Sequence, residues 1–392
     1  MGLHSSKLIA MTNFYPEQYA SDSKQRLNHN YLSQQFSDSD DIFQEIRKVV
    51  ISNDFTLGSA VDELENLIAV ETSSKFAVGV GSGTDALFLS LKALGIGHGD
   101  EVITTPYTFY ATVGAIVTAG ATPVFCDVNS DYNINPSEIE KNISSRTKAI
   151  IPVHWAGKPC QMDLINSIAE SNNIFVIEDA CHAIQALYNN KPCGSFGTSG
   201  CFSFHPLKNL NVWGDGGIIV TSDEELASRL RLLRNHGLKD RNTCVEFAYN
   251  SRLDTVQAVI AIYVLKNKLS NITSSRISNA LLLNTLLSKI PNVDIVEKSK
   301  NSKEVYHLYQ FSTEHQESLY AYLKSKEIDC KIHYPIPMHL QPAASYLGYK
   351  YGDFPVAEML AKKTLSLPVH EFITHDDVYY MAECVKAFCS NL

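Results

Sequence analysis

The chain of 392 residues is 45% apolar and 19% charged, and it carries a formal net charge of −9. That length exceeds one ordinary core, because domains commonly run to roughly 100–200 residues, and the low charge content excludes a disordered chain. No Lys/Arg-rich run marks a nucleic-acid surface, so we expect no nucleic-acid partner. The nine cysteines are scattered and include no CxxC pair, which favours a reducing cytoplasm over a disulfide framework or a metal site.

Residues 1–40 are polar and rich in Ser, Asn and Gln, and we interpret them as an extended N-terminal arm. Further along, residues 102–126 contain no charge, and an uncharged stretch of this length can indicate a membrane span. Six threonines, with breaks at Pro106 and Pro123, instead divide this stretch into a strand, a helix and a second strand. We therefore assign it to a water-soluble core and expect no membrane association.

Residues 41–265 alternate strand and helix patterns and form the predicted large domain. Strands are predicted at 75–80, 101–105, 123–127, 148–154, 174–178, 201–204 and 218–221, and helices at 41–51, 59–70, 84–94, 110–119, 163–171 and 254–266. Ser222 and Glu225 are predicted to form a capping box that opens one more helix, which ends at Gly237. This alternation predicts an α/β fold with a doubly wound, mostly parallel sheet.

Residues 266–392 have a different character and are predicted to form a smaller α+β domain. It contains a helix at 314–326, a short strand at 330–334 and a C-terminal helix that begins with Thr374 and Asp377 as a capping pair.

The first motif with chemical meaning is Gly-Ser-Gly-Thr-Asp-Ala at 81–86, between a predicted strand and a predicted helix. Amides at a helix N-terminus bind phosphate, and glycine lets the anion approach closely. The same letters fit a dinucleotide fingerprint, which needs an acidic residue at the end of the next strand. Glu101 lies at the start of that strand instead, so phosphate binding is favoured over a nicotinamide cofactor. A plain turn with Thr84 as helix N-cap is the alternative.

Three further motifs follow in order. The pair Glu178-Asp179 comes at the end of a predicted strand, on the sheet edge where parallel sheets bind ligands. Ser203 and Lys208 flank a loop after a buried strand, where burial lowers the pKa of a lysine and makes it a nucleophile. Asn250 precedes the helix at 254–266. Singly, each is also compatible with a surface residue or a cap, but their order matches the needs of pyridoxal phosphate: a phosphate site, a carboxylate and a lysine.

At this point the sequence resembles the nucleotide-sugar aminotransferases of the DegT type, among the pyridoxal-phosphate enzymes of fold-type I. The resemblance extends from near Tyr31 to the C-terminus. It rests on the stretches GSGTDALFLSLKALGIGHGDEVITTPYTFYAT at 81–112, AIIPVHWAGKPCQMD at 149–163, VIEDACHA at 176–183, SFHPLKNLNVWGDGGIIVT at 203–221, RNHGL at 234–238, YNSRLDTVQA at 249–258 and HYPIPMHLQPAASYLGYKYGDFPVAE at 333–358.

Carried over position by position, the resemblance implies that Lys208 binds the cofactor aldehyde and that Asp179 pairs with the pyridine nitrogen. The other implied contacts are Gly83, Thr84 and Ser203 on the phosphate, Phe109 on the ring, His182 near the phenolic oxygen, Asn250 on the phosphate of the partner subunit in a homodimer, and Tyr334 and His339 on the substrate. His182 stands where many members have Gln, and Trp155-Ala156 replaces the more usual Leu-Tyr in the substrate wall.

The resemblance implies a cytoplasmic enzyme of amino-sugar and polysaccharide biosynthesis. It would transfer an amino group from L-glutamate to a nucleotide-linked keto-deoxysugar, and the stretch HYPIPMHLQP favours a 3-keto sugar. A 4-keto sugar or a cyclitol ketone is an alternative substrate. Keto-sugar 3-dehydratases resemble the same scaffold but carry His in place of the lysine, so Lys208 favours transamination. A non-catalytic ligand sensor needs neither Lys208 nor Asp179.

Overall fold

A seven-stranded sheet occupies the centre of the predicted large domain. The computed structural model describes residues 25–29, 31–297, 299 and 301–392. Its strands are β1 (Phe76–Val80), β2 (Glu101–Thr104), β3 (Thr122–Phe125), β4 (Thr147–Ile150), β5 (Phe175–Asp179), β6 (Leu187–Tyr188), β7 (Lys191–Pro192), β8 (Ser199–Ser203), β9 (Gly217–Thr221), β10 (Leu238–Asp240), β11 (Thr243–Cys244), β12 (Asp294–Ile295), β13 (Ser302–Lys303), β14 (Tyr309–Ser312) and β15 (Thr364–Leu367). The large sheet has the order β1-β9-β8-β5-β4-β2-β3.

Six strands of this sheet share one direction. The pairs β2–β3, β2–β4, β4–β5 and β5–β8 are parallel, whereas β9 runs antiparallel to both β1 and β8. The predicted mostly parallel, doubly wound sheet is therefore confirmed. Parallel neighbours require crossover connections, and helices supply them along the order β1-α-β2-α-β3 and onward.

The helices are α1 (Leu32–Gln35), α2 (Asp40–Ser52), α3 (Ser59–Glu71), α4 (Gly83–Ala93), α5 (Tyr110–Ala119), α6 (Pro136–Ile139), α7 (Met162–Asn172), α8 (Glu224–Leu233), α9 (Thr255–Asn267), α10 (Leu269–Leu287), α11 (Gln316–Ser325), α12 (Pro355–Lys363) and α13 (His375–Cys389). Helix α4 lies in the core, with Leu87, Leu89 and Leu91 fully buried. This burial holds the N-terminus of α4 at the end of β1. Among the described residues, no helix is both long and apolar enough to cross a membrane.

Two predicted helix caps are shifted by one or two residues. Helix α4 is capped by Ser82, whose side chain accepts a hydrogen bond from the Asp85 amide, so the predicted cap Thr84 is wrong. Helix α8 is capped by Asp223, which accepts from the Leu226 amide, so the predicted capping box at Ser222 is also wrong. A carboxylate caps a helix as well as a hydroxyl does. The capping box of Thr374 and Asp377 on α13 is confirmed.

The C-terminal part contains the antiparallel sheet β12-β14-β15 with α10, α11 and α13. This agrees with the predicted α+β character, although α10, β14 and β15 were not predicted. The predicted strand at 330–334 is not a strand: only Lys331 forms an isolated bridge, to Ser366. The division of the chain into residues 1–40, 41–265 and 266–392 stays a prediction, and residues 1–24 of the predicted arm lie outside the described residues.

Candidate active site

The carboxyl end of β5 carries two consecutive acidic residues, and they point to opposite surroundings. The Glu178 carboxylate is fully buried and accepts four hydrogen bonds, from His154 Nε2 at 2.9 Å and from the amides of Gly194 at 2.7 Å, Phe196 at 2.6 Å and Gly197 at 2.7 Å. His154 Nδ1 accepts from the Cys160 amide at 3.0 Å, so the ring hydrogen on Nε2 is free for Glu178. Because its acceptor sites are used by the fold, Glu178 is a structural residue.

Asp179 is also buried, but its partners leave room for one more donor. Its Oδ2 accepts from Thr112 Oγ1 at 2.8 Å, and its Oδ1 accepts from the Cys181 amide at 3.2 Å. The Thr112 and Thr108 hydroxyl oxygens are 2.7 Å apart. A carboxylate only accepts, so Thr112 donates to Asp179, and Thr108 donates to Thr112. This chain of hydroxyls orients the Asp179 carboxylate at the sheet edge.

The glycine-rich turn and the end of β8 approach each other closely. Gly83 is the first residue of α4, and a Cβ at this position would lie 2.7 Å from the Cβ of Ser203 and 2.9 Å from Sγ of Cys181. Only glycine permits this approach. Thr84 is exposed in the first turn of α4, and Ser203 is half-buried at the end of β8. The N-terminus of α4 thus lies against Ser203 at the end of β8, and the amides of a helix N-terminus can bind a phosphate.

Lys208 lies in the loop after β8. Its amide donates to the carbonyl of His205 at 2.8 Å, and the Val212 amide donates to the carbonyl of Phe204 at 2.9 Å, which closes the loop. Burial lowers the pKa of Lys208, an effect that Cys181 and Asp179 oppose. In the described part of the chain, no carboxylate lies within ion-pair distance of its Nζ. A buried amine without an ionic partner is suited to covalent chemistry.

Neutral imidazoles surround this lysine. His182 Nδ1 accepts from the Ala156 amide at 3.3 Å, so its hydrogen sits on Nε2, and the His307 ring lies 4.2 Å away. Burial lowers the pKa of His182 and of His307 well below 6.5, with a further contribution from Lys208. Burial and the charges of Lys331 and Lys208 lower the pKa of His333 to about 4. His307 Nδ1 is buried without a hydrogen-bond partner.

Four aromatic side chains pack together and form an aromatic wall: Phe109, Tyr110, Trp155 and Tyr334. The Tyr334 ring lies 5.8 Å from Phe109, 5.9 Å from Tyr110 and 5.8 Å from Trp155. Phe109 and Tyr110 are about half exposed, at 44% and 51%, whereas Trp155 is buried. The structure thus brings the predicted residues Phe109 and Tyr334 together, and Trp155 contributes to the same wall.

Two predicted site residues, His339 and Asn250, lie apart from the aromatic wall. His339 is buried against Glu358, with Nε2 3.0 Å from Oε1, and its ring packs on Phe354 at 4.7 Å. No described contact joins it to Lys208 or Asp179. Asn250 is exposed. Its neighbour Ser251 donates to Asp85 Oδ2 at 2.7 Å and accepts from the Gly81 amide, so this segment is fixed beside the glycine-rich turn.

Sequence reasoning missed Thr112, His307 and His333. Thr112 follows Thr108 by one helical turn and had a usable signal, because residues four apart share a helix face. His307 and His333 had none, since their nearness to Lys208 depends on tertiary packing. Cys181, which lies between Asp179 and His182 in the chain, packs against Gly83.

Three features lie at the carboxyl edge of the sheet: the half-buried Lys208, which has no ionic partner among the described residues, the Asp179 carboxylate aligned by a hydroxyl, and the close approach of Gly83 to Ser203 at the start of α4. Pyridoxal phosphate needs these three groups, so the residues present fit it. The fold and the site together define a pyridoxal-phosphate-dependent transferase of fold-type I. The chain belongs to the DegT/DnrJ/EryC1/StrS aminotransferase family, whose model matches residues 37–386.

Several relatives are similar over most of their length. A "pleiotropic regulatory protein" of Geobacillus stearothermophilus is 40% identical over 361 residues, which is 91% of this chain and 97% of the relative. The dTDP-3-amino-3,4,6-trideoxy-alpha-D-glucose transaminase of Streptomyces venezuelae is 35% identical and covers 88% and 92%. A UDP-N-acetyl-3-dehydro-alpha-D-glucosamine 3-aminotransferase of Acidithiobacillus ferrooxidans is 38% identical and covers 88% and 93%.

Solved structures share the fold. The crystal structure of S. venezuelae DesV in complex with a ketimine intermediate superposes with a TM-score of 0.89 at 34% identity and covers 91% of this chain and 97% of that one. The structure of NtdA from Bacillus subtilis, with bound cofactor PMP, has a TM-score of 0.83 at 29% identity and covers 90% and 82%. The predicted family and enzyme class are therefore confirmed.

Proposed function

We propose that this enzyme uses pyridoxal phosphate to transfer the amino group of L-glutamate to the C3 ketone of a nucleotide-linked deoxysugar. The observation that carries the proposal is Lys208, a half-buried lysine whose pKa is lowered by desolvation, which has no ion-pair partner among the described residues and lies within electrostatic reach of Asp179. Desolvation of a lysine amine without an ion-pair partner costs free energy, and a lysine in this state is therefore typical of a reactive site.

The chain's residues divide the work between binding and proton transfer. Gly83, Thr84 and Ser203 bind the cofactor phosphate at the N-terminus of α4, and Phe109 covers the ring. Lys208 would hold the cofactor through its carbonyl carbon, with release of water, and the donor amine would take the place of the lysine amine. When bound, the cofactor supplies a pyridinium ring that accepts an electron pair from the donor's α-carbon.

Asp179 holds the proton on the pyridine nitrogen. It does so because a buried carboxylate aligned by Thr112 favours a positive partner. The freed Lys208 takes the proton from the donor's α-carbon and delivers it to the cofactor carbon that carried the amine link. The same two residues work in reverse when the amino group passes to the keto sugar. His182, with its hydrogen on Nε2, donates to the cofactor's phenolic oxygen.

Substrate identity is supported by the relatives and by the sequence. Two transaminase relatives are named for C3 chemistry, one on a dTDP sugar and one on a UDP sugar. The C-terminal stretch HYPIPMHLQP resembles the C3-acting members, and its Tyr334 lies in the wall next to Phe109. In this proposal, Tyr334 contacts the sugar. His339 lies apart from this wall, with its Nε2 3.0 Å from Glu358 Oε1, so the proposal gives it no direct contact with the sugar.

The enzyme works as a homodimer in this proposal, with Asn250 reaching the cofactor phosphate of the partner subunit. Two observations support this: Asn250 is exposed in its own chain, and Phe247 three residues earlier is fully exposed. A cytoplasmic location agrees with nine cysteines that form no disulfide.

The test is a two-stage assay on the purified enzyme. L-Glutamate alone should bleach the visible absorbance of the cofactor, and borohydride reduction followed by peptide mapping should tag Lys208. A panel of dTDP-, UDP- and GDP-linked 3-keto and 4-keto sugars should then restore the absorbance, with 3-keto sugars the fastest. Lys208→Ala is the control. Restoration only by 4-keto sugars or cyclitol ketones would contradict the C3 assignment, and cofactor binding without any half-reaction would favour a ligand sensor.

A further inference from the structure

The N-terminal segment packs against the loop that carries Lys208. In helix α1, Gln35 is only 2% exposed, and the preceding Tyr31 is 3% exposed. Both side chains point away from solvent although the segment is polar in sequence. Their partners, Lys208 and Asn211, lie 177 and 176 positions further along the chain, in the loop after β8.

Gln35 and Asn211 form a reciprocal amide pair. Asn211 Nδ2 donates to Gln35 Oε1 at 2.9 Å, and Gln35 Nε2 donates to Asn211 Oδ1 at 3.3 Å. Asn211 Nδ2 also donates to the carbonyl of Pro206 at 2.7 Å, across the loop. Pro206 and Asn211 enclose Lys208, so Gln35 orients the side chain that holds the loop closed. The pair fixes both side chains, because loss of Asn211 removes both bonds of the Gln35 amide and loss of Gln35 leaves Asn211 Oδ1 without its donor.

Tyr31 contacts the lysine residue itself. Its hydroxyl donates to the main-chain carbonyl of Lys208 at 3.4 Å. Its ring is stacked on His370 at 4.9 Å, and the Arg276 guanidinium lies 5.1 Å from the ring centre. Burial raises the pKa of Tyr31 to about 12, so the hydroxyl remains a donor at neutral pH.

The same segment is fixed to the C-terminal part of the chain. Leu27 pairs with Ile328, and the His29 amide donates to Asp329 Oδ2 at 3.2 Å. His370 Nε2 lies 2.9 Å from the carbonyl of Asn28. The segment therefore has a rigid support on one side and the lysine loop on the other.

We propose that Gln35 and Tyr31 are positioning residues for Lys208, and that residues 27–29 and 31–35 fix the loop from which this lysine reaches the cofactor. The inference rests on the proposed role of Lys208. A lysine that must first bind the cofactor carbon and then move a proton needs its backbone held to within a fraction of an ångström.

The first test measures hydrogen–deuterium exchange in the cofactor-free enzyme. Gln35→Met keeps the side-chain length and removes both amide bonds. Amides of residues 205–212 should exchange at least about fivefold faster than in the wild type, while those of β9 stay unchanged. Gln34→Ala is the matched control, because Gln34 is exposed in the same short helix and its side chain accepts only from Ser33. Unchanged exchange in 205–212, or equal acceleration in β9, would overturn the proposal.

The second test measures the half-reaction with L-glutamate by stopped-flow absorbance. Gln35→Met should slow the step roughly 10- to 100-fold at saturating glutamate, with the half-saturating glutamate concentration little changed. Tyr31→Phe, which removes only the hydroxyl, should have a smaller effect in the same direction. Faster loop exchange with a wild-type half-reaction would refute the positioning role. A wild-type enzyme that shows no half-reaction would instead contradict the proposed function.

Discussion

Replacing Glu178 by glutamine tests whether the two acidic residues at the end of β5 have different roles. The Glu178 carboxylate accepts two hydrogen bonds on each oxygen. A glutamine in the same place keeps one oxygen for two of these donors and turns its NH₂ group towards the other two. In one orientation, the Phe196 and Gly197 amides stay paired, while the Gly194 amide and His154 Nε2 face a donor.

The loss in unfolding free energy follows from the number of buried donors that are left without an acceptor. A buried donor without a partner costs about 1–3 kcal/mol, so two such donors cost about 2–6 kcal/mol. Because domains of this kind are stable by about 5–15 kcal/mol, Glu178→Gln removes a large share of the total. Asp179→Asn should cost far less, about 1 kcal/mol, because the Thr112 hydroxyl can rotate and accept from the new amide.

The assay is urea unfolding of both cofactor-free variants at one protein concentration, followed by circular dichroism, together with the glutamate half-reaction of the folded, cofactor-loaded fraction. We expect Glu178→Gln to lower the unfolding free energy strongly and to keep the half-reaction. Asp179→Asn should unfold almost like the wild type and should lose the half-reaction with glutamate. A stable Glu178→Gln without a half-reaction, or an active Asp179→Asn, would refute this division of roles.

Three other predictions concern the same site. Because burial lowers the pKa of Lys208, its amine is neutral at a lower pH than an exposed lysine; acylation of the cofactor-free enzyme, read by mass spectrometry, should therefore label Lys208 at lower pH than the other lysines. Thr112→Val should slow the half-reaction about 10-fold and Thr112→Ser should not, since only the hydroxyl donates to Asp179; equal rates would remove Thr112 from the mechanism. Mixing Lys208→Ala with Asn250→Asp should restore roughly one active site per mixed dimer, and no recovery despite subunit exchange would mean that Asn250 serves its own subunit.

The parallel strands were predictable because each is a short apolar run buried on both faces. The helices and strands of the C-terminal part were harder to predict from the sequence. In α10 the buried stripe includes Arg276 and Asn279, whose polar groups bond to carbonyls of residues 306, 307, 370 and 373, so the apolar period is interrupted. Strands β14 and β15 are four residues each; β14 pairs with β12 and β15, and β15 forms one further bridge, from Ser366 to Lys331.

The candidate site shows the same limit. Lys208 and Asp179 were predictable because each follows a strand within a recognisable motif. The Gln35–Asn211 pair was not, because it joins residues 176 positions apart and each looks like a surface amide in sequence. Ser82 and Thr84 illustrate a finer limit: both hydroxyls lie at the start of the same helix, and the extended backbone of Ser82 makes Ser82 the cap, while Thr84 is already helical.

The lowered pKa values of three histidines determine how the charge of the candidate site changes with pH. Histidine is the side chain that ordinarily gains charge as a cell acidifies. Here His182, His307 and His333 stay neutral through that range, because burial and neighbouring cations lower the pKa of each. The three histidines near Lys208 therefore keep the same charge in mild acid. They add no repulsion against a protonated amine or a pyridinium. An acidic limb in the rate profile would therefore report a group other than these three rings.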